Sequence, residues 1–177
     1  MTSLRELRMV DPDCVPYNSL PMHPILPGIQ HLNLRFIILR LHLRDDDLIA
    51  LSNAMSSWPN LQELIIYLAT LLNIPSGDKR PLRSHVSETT IQRLFRAIAR
   101  CQNLMELDLF EIQIQDSLVN DLCKMVDSLG QLNEFSLLYS YDDTLTKDGI
   151  DKLEAYLMQK QDEMIVMYAS KRLPEDQ

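Results

Sequence analysis

Residues 103–109 read Asn-Leu-Met-Glu-Leu-Asp-Leu and place Leu104, Leu107 and Leu109 in the spacing LxxLxL. The same frame returns elsewhere in the chain. Residues 60–66, NLQELII, put Leu61, Leu64 and Ile66 at matching positions, and the two stretches share Asn, Leu, Glu and Leu in register. Residues 131–137, QLNEFSL, supply Leu132, Phe135 and Leu137, and residues 3–9, SLRELRM, supply Leu4, Leu7 and Met9. Apolar residues at every second position mark a strand with one buried face, so each frame predicts a short strand. Recurrence of the frame implies stacked supersecondary units, because one strand cannot close a core alone.

The residues ahead of each frame repeat independently. Ten positions before Leu61, Leu104 and Leu132 stand Leu51, Leu94 and Leu122, and thirteen before stand Leu48, Ile91 and Val119. Ala54 with Met55, Ala97 with Ile98, and Met125 with Val126 complete apolar stripes at spacings of three and four, which predicts a helix buried on one side. Trp58, Cys101 and Leu129 then plug the turn into the strand. Applied to Ile150, Leu153, Tyr156 and Leu157, the template predicts a last strand in EMIVMYA at 163–169. Parallel strands are expected near 5–9, 35–39, 62–66, 105–109 and 133–137, with helices near 47–57, 89–101, 117–128 and 147–160.

Leu104 and Leu132 are 28 residues apart, and the same step back from Leu61 lands on Asn33. The second strand therefore falls in LRFIILRLHL, where two registers compete, since IQHLNL at 29–34 also reads as LxxLxL. Inward Phe36 and Ile38 is the preferred register, because it aligns Leu43 with Ile114 and Asp45 with Asp116. Leu61 to Leu104 is 43 residues, and the excess predicts an insertion loop at 73–88, where Pro75, Gly77 and Pro81 forbid regular structure and Lys79, Arg80 and Arg83 add positive charge.

A period of 28 with a helix in every unit resembles the ribonuclease-inhibitor-like class of leucine-rich repeat. The junctions ARCQNLMELDL and SWPNLQELII also resemble the repeats of F-box proteins. The resemblance implies an α/β right-handed solenoid or horseshoe of about five repeats, strands on the concave face and helices on the convex face, as one domain over 1–177. It departs from the family three residues after the third leucine, where Asn or Cys is common and Leu41, Ala69, Ile112 and Ser140 stand here. Because the chain opens directly on a strand, it is expected to be the C-terminal part of a longer protein, and KRLPEDQ at 171–177 is expected to fray.

Composition narrows the function. With 46% apolar and 24% charged residues the chain is globular, and a net charge of -8 opposes nucleic-acid binding, which needs clustered Lys and Arg. No apolar run reaches the length of a signal peptide core or a membrane span. Cys14, Cys101 and Cys123 form no ligand or disulfide framework, so a reducing, cytoplasmic setting and structural thiols are expected. His23, His31, His42 and His85 share no metal spacing, and neither catalytic site, cofactor nor metal is expected. Asp45, Asp46 and Asp47 precede a helix and suit its N-terminus.

Functional residues are sought on the concave face. Two after each first leucine stand Glu6, Arg35, Glu63, Glu106 and Glu134; four after, Arg8, Ile37, Ile65, Asp108 and Ser136; six after, Val10, Leu39, Tyr67, Phe110 and Leu138. Apolar anchors beside charge make a protein-binding face. The expected contacts are Tyr67, Phe110, Leu39, Leu138 and Ile65, with Glu63, Glu106, Asp108 and Glu134 orienting a basic partner surface. The resemblance implies a protein-interaction module like the repeat tails of F-box ubiquitin-ligase subunits or NOD-like innate-immune receptors. Two alternatives stand beside it: an accessory regulator akin to the GTPase-activating protein for Ran, and a spacer that self-associates through an open N-terminal edge.

Overall fold

A computed structural model of the chain describes residues 4–10, 22–41, 43–68, 86–141 and 144–172. Strand and helix alternate: β1 (Glu6–Val10), α1 (Leu26–Ile29), β2 (Phe36–Leu41), α2 (Asp45–Met55), β3 (Glu63–Leu68), α3 (Glu88–Ile98), β4 (Glu106–Gln113), α4 (Asp116–Ser128), β5 (Glu134–Tyr141), α5 (Lys147–Lys160) and β6 (Ile165–Arg172). The strands form one six-stranded sheet in sequence order, every pairing parallel. Each strand starts within a residue or two of its expected place.

The repeated apolar positions build one continuous core. Leu64, Ile66, Leu107, Leu109, Phe135 and Leu137 are buried beneath the sheet, and the stripes of α2, α3 and α4 are buried against them, with each helix packed on the next. Trp58, Cys101 and Leu129 close the helix-to-strand turns as expected. The buried residues of all the strand–helix units belong to a single cluster, so stacking of neighbouring units is what completes the core.

The second strand corrects the expected register. Ile37 and Leu39 are fully buried, Phe36 and Ile38 are only half-buried, and Phe36 pairs with Glu63 while Ile37 pairs with Leu64. The frame is therefore Leu34, Ile37 and Leu39. Leu34 is buried and lies 27 residues before Leu61, one fewer than the step from Leu104 to Leu132. The cause lies in β4, where Glu111 sits in the left-handed region at φ 59 and the pairing with β5 shifts between Phe110 and Ile112. This bulge adds one residue to β4 and returns Ile112 to the core. Alignment with Ile114 and Asp116 therefore implies one residue too many for β2, which has no bulge in its pairing with β3. Leu43 and Ile114 are both buried, and Asp45 and Asp116 each begin a helix, so the turn alignment itself holds.

Polar side chains stitch one unit to the next. Asn60 donates to Asn33 Oδ1 at 2.9 Å, and Asn103 donates to the Pro59 carbonyl at 2.8 Å. These asparagines precede the first leucine of their frames, so polar capping sits at the helix-to-strand turn rather than after the third leucine. The aspartates also differ from simple N-caps. The N-cap of α2 is Arg44, whose N–H donates to Asp47, while the buried Asp47 also accepts the N–H groups of Met22 and His23. Asp45 accepts the N–H of Ser87, the N-cap of α3. The expected insertion at 73–88 lies outside the described residues except for its last three positions, and 173–177 lies outside them as well.

Candidate functional site

Strand alternation sends half of the side chains to the face opposite the core. Parallel register aligns them in rows across the sheet. The first row runs Glu6, Phe36, Glu63, Glu106, Glu134 and Ile165; the second runs Arg8, Ile38, Ile65, Asp108, Ser136 and Met167; the third runs Tyr67, Phe110, Leu138 and Ala169. Eight of the nine expected contact residues share this face: Tyr67, Phe110, Leu138, Ile65, Glu63, Glu106, Asp108 and Glu134.

Leu39 does not. It is fully buried beneath β2, because the corrected register turns it into the core and brings Arg40 into line with Tyr67. Arg35 and Ile37 leave their expected columns for the same reason, and Phe36 and Ile38 take those places. Two further residues belong here. Ile165 and Met167 are 57% and 58% exposed on β6, although both are large and apolar. Their signal was present in EMIVMYA, where Val166 and Tyr168 alternate with them.

Tyr67 and Phe110, on adjacent strands, stack with ring centroids 4.4 Å apart and planes at 25°. The stack fixes both rings and leaves them half-buried, which presents apolar area already ordered for contact. Leu138 continues this row on β5.

Beside it lies a concentration of negative charge. Partial burial in the face raises the Glu106 carboxyl above its ordinary pKa, and the charges of Glu63, Asp108 and Glu134 push it further. Asp108 is raised by burial too, with Glu134 adding to the shift and a hydrogen bond from Ser136 opposing it. Among the described residues, no Lys or Arg forms an ion pair with Glu63, Glu106, Asp108 or Glu134. Like charges this close raise one another's energy until a cation or a proton arrives.

Neither a protein-family model nor a curated protein sequence matches the chain. Carboxylates that have no cationic partner among the described residues, beside stacked aromatic and aliphatic side chains, can attract and hold a positively charged, partly apolar surface. Elsewhere, burial pushes the thiols of Cys101 and Cys123 up to about 11, which leaves both poor nucleophiles. Among the described residues, no group of three or more His, Cys, Asp or Glu side chains is placed to hold a metal ion, and no helix is long and apolar enough to cross a membrane.

Proposed function

We propose that this chain is a leucine-rich-repeat solenoid, and that the helix-free face of its sheet, concave in such a repeat, binds a partner protein. The observation that carries the reading is the ordered Tyr67–Phe110 stack set beside four carboxylates that have no cationic partner among the described residues. Apolar anchors bury area, and charge around them steers the encounter. Repetition of the LxxLxL frame with a helix in each unit supports the repeat class. The partner is a protein in the same compartment, which we take to be the cytoplasm.

A photo-crosslinking amino acid at position 108 tests this directly. The partner captured there should be lost on Phe110→Ala with the circular dichroism spectrum unchanged. Binding that survives both Phe110→Ala and Glu106→Lys in folded protein would move the site off this face.

A further inference from the structure

The distribution of charge along the rows is not uniform. Apolar side chains occupy the β2 side of the face, with Phe36 and Ile38 on β2 and Ile65 on β3. Carboxylates occupy the centre, with Glu63, Glu106 and Glu134 in one row and Asp108 beside them. On β6 the surface turns apolar again at Ile165 and Met167, both more than half exposed. From β2 to β6 the first two rows thus run apolar, acidic, apolar, and on β1 beyond them Glu6 and Arg8 pair with one another.

We infer that the partner contributes a short segment lying across the strands, with basic side chains at its centre bracketed by apolar residues that seat on the Phe36–Ile38–Ile65 and Ile165–Met167 patches. This rests on the proposed binding face and specifies its occupant.

Spacing sets the length. Strands lie about 4.8 Å apart, so β2 to β6 spans about 19 Å, which about six extended residues cover. Charge sets the centre. Four carboxylates occupy the middle strands, and no Lys or Arg among the described residues forms an ion pair with any of them, so more than one cationic group is needed to neutralise them. The exposed apolar groups on β6 set the far end. They are too large to be left open at no cost and lie two residues apart on one strand, which gives an apolar contact for an aliphatic or aromatic side chain. A uniformly basic segment would leave both apolar patches in water, and a uniformly apolar one would strip water from four charges without replacing it.

The test uses the full chain and a fluorescein-labelled synthetic peptide whose two central lysines lie between phenylalanines at the two ends of a segment of about six residues. Two counterparts complete the set, one with both lysines acetylated and one with both phenylalanines replaced by serine. Anisotropy at low salt should show saturable binding of the parent peptide. Acetylation should weaken it at least about tenfold, as should the protein variant Glu106→Gln with Asp108→Asn, while the serine counterpart and Met167→Ser should each weaken it severalfold. Equal binding of the acetylated and parent peptides overturns the inference, and so does equal binding by the charge variant. Absence of binding by the parent peptide overturns it as well. The broader reading is tested separately: a partner cross-linked at position 108 and lost on Phe110→Ala, yet indifferent to Glu106→Gln, keeps the face as the binding site and removes only the basic, apolar-bracketed segment.

Discussion

Asp116 Oδ1 accepts the backbone N–H of Thr146 at 2.9 Å, and the absence of a side chain at Gly149 leaves room for that carboxylate. Thr146 is the N-cap of α5, so the first residue of α4 holds the start of the next helix. Asp45 on α2 makes the equivalent bond to Ser87, the N-cap of α3, at 2.9 Å.

Gly149→Ala is expected to destabilise the chain. An alanine gains about 1 kcal/mol over glycine in a helix, but a Cβ here would overlap Asp116 Oδ1 and stand 2.9 Å from Leu145 Cδ1. Overpacking of this kind costs about 1–3 kcal/mol. Urea denaturation of a double-mutant cycle checks it: the loss should shrink when Asp116→Ala is already present. A loss of the same size in both backgrounds would detach Gly149 from the aspartate.

The register of β2 is measurable. Ile37→Ala should cost about 2–4 kcal/mol, because Ile37 is fully buried, whereas Ile38→Ala on the open face should cost clearly less. Leu107→Ala, at the middle of the stack, should cost about 2–5 kcal/mol. Thermal or urea unfolding that ranks Ile38 above Ile37 would restore the register in which Phe36 and Ile38 point inward.

Stability should respond to pH through the acidic centre. Glu106 and Asp108 both titrate above their ordinary values, so the folded chain holds those protons more tightly than the unfolded chain does. Their contribution opposes folding most at neutral pH and is relieved as pH falls through their raised folded values. Glu106→Gln removes the charge that Glu63, Asp108 and Glu134 repel. It should raise the Tm at pH 7.5, and the advantage should fade as pH falls toward about 4.3, the ordinary glutamate value. An advantage that is absent at neutral pH, or that grows on acidification, would contradict the repulsion.

Rates should separate anchors from charges. With a partner in hand, Phe110→Ala should speed dissociation by an amount worth about 2 kcal/mol or more. Glu106→Lys should mainly slow association and flatten its salt dependence. Stopped-flow measurements at two salt concentrations resolve both, and an unchanged dissociation rate in Phe110→Ala would remove the aromatic stack as the anchor.

The strands of this fold could be read wherever polar and apolar residues alternate strictly. In NLMELDL, Glu106 and Asp108 mark the outward parity beyond dispute, and Leu107 and Leu109 are buried as that pattern requires. At β2 the chain runs Phe36, Ile37, Ile38, Leu39, and four apolar residues in succession carry no parity. Only Leu34, three residues before Ile37, decides it. The acidic half of the candidate site was legible because charge is local information. Its apolar flanks were not, since Phe36 and Ile38 depended on that register and Ile165 and Met167 on pairing between β5 and β6. The inter-unit bonds of Asp45 and Asp116 join residues 42 and 30 positions apart and leave no trace in local pattern.

The bulge at Glu111 marks where this chain can change length without changing shape. Removing that one residue would leave Leu109 and Ile112 facing inward and Phe110 and Gln113 facing outward, the alternation that an unbulged strand requires. A single-codon deletion there is therefore silent to the core, whereas the same deletion at Asp108 would turn every later side chain of the strand over. The step of 27 residues from Leu34 to Leu61, whose strand has no bulge in its pairing with β3, and of 28 from Leu104 to Leu132, whose strand has one, shows both lengths accommodated in the same sheet.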